Sequence, residues 1–365
     1  MPNTESLSHE ALVVCACEGR EYTVRNAIDA ALFRGELEPL WQNFLQRVAA
    51  QHKVDDEELA LDDGAIERAA EQFRYDHDLI TAEETEQWLA CRGLSLDEFS
   101  EYFLRRAAVE AADEDLALEE IDYLAASDDL RQMFAGELIL SGELDWLANA
   151  LSWRLAIAAA TASDQVDPAQ IDAEREEFFE RTGLKNDDVP EWLEKLGRDN
   201  DWFEQMLRME SEYQRRCASL LTPHARQREL ISLRLPLTRF ETEVIELESR
   251  DAAQEALFCV REDGMSMEEV AVEGRYPYKT LSFLQEDIPE DLQPKFLSVH
   301  AGDVLEPLTR GDAFELYRIT SKVEPQADDP ALHERVDQIL LNRHFSELTS
   351  RYIEMRLHHA AATEE

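Results

Sequence analysis

Positive charge is scarce in this chain of 365 residues. Thirty-six lysines and arginines stand against 80 aspartates and glutamates, a formal net charge of −44. Such a surface repels phosphate backbones and releases no counterions, which argues against nucleic acid as a partner. Anionic membranes are disfavoured for the same reason. Long apolar runs are missing as well: no stretch approaches the roughly 18 residues of a membrane span. The N-terminus, MPNTESLSHEALVV, has no basic region followed by a long apolar stretch, so no signal peptide is expected and the chain is assigned to the cytoplasm. The five cysteines (Cys15, Cys17, Cys91, Cys217 and Cys259) are an odd number without framework spacing, which fits reduced thiols. Glycine-rich phosphate loops and Ser/His/Asp constellations are absent. Cys15 and Cys17 share one face of a strand, and His358-His359 are conceivable remote metal partners. No second pair stands at ligand spacing, so two small half-buried hydrophobes are the preferred reading. The acid run Asp55-Asp56-Glu57-Glu58 with Asp62-Asp63 lacks the alternating ligands and central glycine of a calcium loop. Neither a metal nor a cofactor is expected.

What is present is apolar material for real cores, 44% hydrophobic and 8% aromatic, in a chain long enough for two or three lobes. Residues 11–23 read as two short extended runs with a turn at Glu18-Gly19. From Thr23 to about residue 220, Ala, Leu, Glu, Gln and Arg dominate, and apolar residues recur at helical spacing. Thr81…Glu84 and Ser95…Glu98 are capping boxes, and Arg92-Gly93 makes the stop between them.

Two stretches resemble each other. GELEPLWQNFLQRV begins at Gly35 and GELDWLANALSWRL at Gly142, an offset of 107 (142 − 35). Ile66, Phe73, Trp88-Leu89, Phe99 and Leu104 are echoed by Ile171, Phe178, Trp192-Leu193, Phe203 and Leu207. The offset falls from 107 to 105 (171 − 66) and 104 (203 − 99), a drift that loop-length change between duplicated helical units produces, so tandem units at 24–110 and 130–216 are expected within a helical lobe, 1–235.

The texture changes after Pro236. Phe240–Leu247 alternates as a strand, Arg250–Val260 is helical, and Ser266…Glu269 caps a further helix. Arg275–Leu284 is extended, Pro294 opens a helical turn, Val304–Leu308 is extended, and Phe314–Ile319 alternates as a final strand. The pattern β-α-α-β-α-β-β predicts a compact α+β domain at 236–325. A last helix is expected from about Pro330 to Leu357, within the segment 328–358. Val336, Leu340, Leu341, Phe345, Leu348, Tyr352 and Met355 form its stripe. A rod of roughly 42 Å is too long for the small domain to cover, so it is expected to return to the N-terminal lobe. The fold class is therefore mainly α with a smaller α+β domain.

These segments resemble the parvulin-type peptidyl-prolyl isomerase and chaperone family, of the SurA, PrsA and NifM kind. Asp291-Leu-Gln-Pro294-Lys-Phe296 is similar to the family's segment ahead of its buried helix. Gly302-Asp303-Val304 with Pro307-Leu308 is similar to its Gly-Glu-Val-x-x-Pro-Val turn. Phe314-Glu315-Leu316-Tyr317-Arg318-Ile319 is similar to its closing strand. Cys15 to Thr23 resembles the opening of the SurA-type chaperone domain, and Leu61 to Arg105 its middle. The departures bear on function. Active parvulins carry one histidine on the first strand and one on the last. Here the first strand, FETEVIEL, has none, and the aligned position on the last is Glu315. The glycine-rich Gly-Gly-x-Leu-Gly-Trp stretch appears as Lys279-Thr-Leu281-Ser-Phe283, and His300 lies in a turn.

Twisting a prolyl amide crosses about 18–20 kcal/mol. Carboxylates such as Glu241 or Glu243 with Glu315 would oppose the polarisation that helps it. The resemblance thus implies a binding protein with degenerate parvulin positions Glu241 and Glu315 and no catalytic residue. Phe283, Leu292, Phe296 and Phe314 in the small domain, with Trp88 and Trp192 in the lobe, are candidate peptide contacts. Of the six tryptophans around a groove, Trp41, Trp88, Trp146, Trp153, Trp192 and Trp202, most are expected in the core, with one or two at the groove mouth to suit an extended or helical peptide, and acidic rims would steer a basic client. The expected partner is an enzyme subunit or a basic precursor peptide, with a modifying enzyme as a further candidate. The alternatives are a true isomerase with a rebuilt site and a scaffold subunit of a peptide-modifying complex.

Overall fold

The computed structural model describes residues 8–112, 121–161, 167–311, 313–326 and 329–357. His358 and His359 lie outside the described residues. The fold is mainly α with two small antiparallel sheets. It divides into two compact units, one from the chain up to Cys217 and from His344 onward, the other from Ala218 to Arg343.

The first unit opens with β1 (Val13–Cys17) and β2 (Arg20–Thr23), joined by a tight turn in which Glu18 and Gly19 both have positive φ. Helices follow: α1 (Val24–Phe33), α2 (Leu37–Glu57), α3 (Asp63–Asp76), α4 (Ala82–Cys91), α5 (Leu96–Ala111), α6 (Asp128–Ser141), α7 (Glu143–Ala160), α8 (Pro168–Thr182), α9 (Val189–Leu196) and α10 (Asn200–Leu220). Local chemistry sets their starts. Thr81 and Ser95 each accept the N3 backbone N–H while Glu84 and Glu98 reach back to the cap. Gly35 and Gly142 precede α2 and α7 in the left-handed region (φ 70° and 79°), which a side chain would strain.

The two echoing stretches carry matching aromatic frames. Phe73 meets Trp88 at 5.4 Å and Phe99 at 5.3 Å; Phe178 meets Trp192 at 5.5 Å and Phe203 at 5.1 Å. His77 Nδ1 lies 2.9 Å from the Phe73 carbonyl, and Thr182 donates to the Phe178 carbonyl at 2.7 Å. The six tryptophans are spread over separate contacts. Trp41 packs on Phe134, Trp88 on Phe73, Trp153 on Phe345, and Trp192 beside Trp202, while Trp146 is exposed.

The second unit contains α11 (Pro223–Ser232), β3 (Arg239–Leu247), α12 (Arg250–Arg261), α13 (Met267–Gly274), β4 (Tyr278–Leu284), α14 (Gln293–Ser298), β5 (Leu308–Arg310) and β6 (Ala313–Val323). The strands pair in the order β4-β3-β6-β5. Helices α12 and α13 cover one face of the sheet through Ile245, Leu247 and Leu316. On the other face, α14 places Phe296 against Phe240, Tyr317 and Ile319.

The last helix, α15 (Pro330–Tyr352), is five residues shorter than the sequence predicts. Ile353–Met355 leaves the helix as β7 and pairs antiparallel with β1. The cause is backbone satisfaction. β1 is buried and would otherwise leave one edge unpaired, and Arg356 N–H completes it on the Val14 carbonyl at 3.0 Å. Ahead of the turn, Phe345 stacks on Trp153 (4.9 Å) and Tyr213 (5.4 Å) within the first unit. Leu332 and Val336 pack with Leu230 and Leu237 within the second.

Candidate polypeptide-binding site

Register decides which side chains of the small sheet share a face. β3 pairs with β6 so that Val244 faces Tyr317 and Glu246 faces Glu315. Alternation then puts Phe240, Val244, Glu315, Tyr317 and Ile319 on the face that α14 covers. Glu241 and Glu243 project from the opposite face. Glu241 accepts a hydrogen bond from Ser282 Oγ at 2.9 Å, and Glu243 accepts one from the Tyr278 hydroxyl at 3.0 Å and lies 3.6 Å from Arg318. Glu241 and Glu315 are therefore not brought together. Alternation with Phe240 and Val244 puts Glu241 and Glu243 on the opposite face of β3, but only the pairing with β6 shows which of the two faces Glu315 shares.

Glu315 is only 4% exposed. Tyr317 donates its hydroxyl to Oε2 at 2.6 Å, Arg310 Nη1 lies 3.3 Å from the same oxygen, and Lys279 Nζ lies 3.4 Å from Oε1. Burial pushes the carboxyl up, but the Tyr317 hydroxyl, Arg310 and Lys279 outweigh it and hold Glu315 below the usual carboxylate range. The same contact, with burial, raises the Tyr317 phenol. Tyr317 and Arg310 were not anticipated. Their signal was present: a Tyr two residues after Glu on one strand shares its face.

An aromatic floor adjoins this cluster. Phe296 meets Phe240 at 5.7 Å, Phe283 at 5.6 Å and Tyr317 at 5.4 Å, each ring close to edge-on. Phe296 is 2% exposed and forms the floor; Phe283 and Leu292 are half-buried at its margin. Phe283 stands on β4, an edge strand of this sheet. Phe314 packs on the α12–α13 face and does not join them. In the helical unit, Trp192 is 9% exposed and belongs to the core, while Trp88 is half-buried under the Arg92 guanidinium, 3.9 Å from its ring.

No histidine stands on any of the four strands. His300 lies between α14 and β5 with its side chain 90% exposed, 3.6 Å from Asp303. Among the described residues, no three or more His, Cys, Asp or Glu side chains converge as metal ligands, and no helix is long and apolar enough to cross a membrane. Cys15 and Cys17 are buried, and burial raises both thiols.

No family model and no curated protein matches the sequence. Solved structures similar to the chain include the peptidylprolyl isomerase PrsA from Bacillus cereus, with TM-score 0.32 and 11% identity over 68% of this chain and 95% of that one. The foldase PrsA from Streptococcus pneumoniae gives TM-score 0.26 and 13% identity over 68% and 97%. A SurA-like chaperone structure from Campylobacter jejuni gives TM-score 0.20 and 9% identity over 59% and 88%. These TM-scores fall below those of chains that share one overall arrangement.

Proposed function

We propose that this protein holds a client polypeptide for folding or maturation and does not catalyse prolyl isomerisation. One observation carries the reading: the small sheet has no histidine on its strands, and its buried Glu315 is tied to Tyr317, Arg310 and Lys279. A carboxylate so engaged has no free proton to give, and its charge opposes polarisation of a client carbonyl. Holding needs less. Phe283 and Leu292, half-buried above Phe296, offer an apolar margin beside an edge strand whose backbone can pair with an extended chain. We assign the small α+β domain to 236–325, the helical lobe to 1–235 and the returning segment to 328–358. The net charge of −44 suits a basic client, an enzyme subunit or a precursor peptide, in the cytoplasm.

The test is aggregation of a chemically denatured basic protein, followed by light scattering. The full chain at equimolar ratio is expected to suppress it, and Phe283→Asp to lose most of that effect. No suppression by the wild-type chain contradicts the reading.

A further inference from the structure

The helical unit contains a polar cavity of about 270 Å³ that the holding site does not involve. Glu10, Arg25, Asp29, Tyr123, Arg131 and Lys195 are among its lining residues. Its cations are already engaged. Arg131 pairs with Asp128, Lys195 with Glu191 at 2.9 Å, and Arg25 donates to the Leu196 carbonyl at 3.0 Å. Its acceptors are engaged only in part. Arg198 places Nε at 2.7 Å and Nη2 at 2.5 Å from Asp29 Oδ2, and Arg25 Nε lies 3.9 Å from the same oxygen. Asp29 Oδ1 has no partner among the described residues. Tyr123 is 5% exposed, its ring fixed against Trp41 at 5.3 Å and Phe134 at 6.0 Å. Its hydroxyl and the Glu10 carboxylate also have no hydrogen-bond partner among the described residues. The Tyr123 side chain is fixed at the cavity wall, so its hydroxyl is open to a donor that enters the cavity.

We propose that this cavity binds a primary ammonium or guanidinium group, with Asp29 Oδ1, the Glu10 carboxylate and the Tyr123 hydroxyl as its acceptors. The open valences are two carboxylates and a phenol, so the complementary ligand is a donor carrying positive charge. Asp29 supports the sign. Burial holds its carboxyl up at about 6 although Arg198 and Arg25 pull it down, so its charge is under-compensated. The volume equals that of about nine waters at roughly 30 Å³ each, enough for the end of a lysine or arginine side chain or for a small free amine.

The experiment is an NMR titration of the full chain with n-butylammonium and n-butylguanidinium, with n-butanol as the neutral control. Saturable shifts with the cations and none with butanol are expected. Glu10→Gln and Tyr123→Phe should each weaken binding at least fivefold. Asp29→Asn should abolish it, and if that variant unfolds, the other two carry the test. N-acetylated decalysine binding more than tenfold tighter than butylammonium identifies a polypeptide as the source, and equal affinity identifies a free amine. No saturable binding, or unchanged affinity in the Glu10→Gln/Tyr123→Phe double variant, overturns the proposal. The probes are too small to need the holding site, so failure here leaves the holding function untouched.

Discussion

Asp29 in the helical unit and Glu315 in the small unit are both carboxylates withdrawn from water, and they titrate in opposite directions. Asp29 is raised to about 6, whereas Glu315 is lowered. Burial raises a carboxyl and is deeper around Asp29, where it prevails; at Glu315 the donors outweigh it. Both Arg198 contacts fall on one oxygen of Asp29, and the other is free of described partners. Glu315 is contacted at both oxygens, by a phenol, a guanidinium and an ammonium. One carboxylate is left with capacity to bind, and the other is satisfied within the protein. Elsewhere in the helical unit, Arg154 forks onto both oxygens of Glu210, and Arg105 donates to Glu137 at 2.9 Å. Glu174, which burial also raises and which Arg181 meets at one oxygen only, is closer to Asp29.

The largest expected effect tests the frame around these sites. Phe178→Ala should lower unfolding free energy by about 4 kcal/mol and Phe73→Ala, at the equivalent place in the other aromatic frame, by about 3 kcal/mol. Denaturant titrations would measure both, and a tenfold disparity between them would break the equivalence of the two frames. Next is the pH dependence of Asp29. Its folded pKa is raised from 3.8 to about 6, so the folded state keeps a proton that the unfolded state releases. Its contribution to stability should fall as pH rises from about 4 to about 6, by about 2–3 kcal/mol in all, then stay level. The difference between wild type and Asp29→Asn across that window isolates it. Glu315 should slope the other way. Its folded pKa is depressed, so its contribution is present above the ordinary 4.5 and is lost as pH falls through the folded value. Glu315→Gln should cost about 1–2 kcal/mol at pH 7, from the weakened bond to Tyr317, and the gap should close in acid. Slopes of the same sign for the two residues would dissolve the contrast. His300→Ala should be the smallest, within about 0.5 kcal/mol, since the ring is in solvent.

Much of the fold was legible because the signals were local. The capping boxes at Thr81, Ser95 and Ser266 start helices, and Glu18-Gly19 makes the hairpin turn. The β-α-α-β-α-β-β order of the small domain follows from where periodicity changes. What was not legible depends on partners distant in sequence. Ile353 and Met355 fit a helical stripe, and only the unpaired edge of β1 draws them into a strand. The opposite faces taken by Glu241 and Glu315 depend on how β3 pairs with β6, which neither strand's own alternation can set. Asp29 was a missed signal, a single carboxylate inside the apolar run Ala27–Leu32. Tyr123 gave none, because its place is set by Trp41 and Phe134.

The central claim is that the small sheet grips a chain without twisting its bonds. A proline-containing tetrapeptide, followed by exchange NMR with the full chain present, tests it most directly. The account predicts cis–trans exchange at the uncatalysed rate in wild type and in Glu315→Gln alike. Exchange above background in wild type, abolished by Glu315→Gln or Tyr317→Phe, would contradict it and make the Glu315–Tyr317 pair a catalytic group.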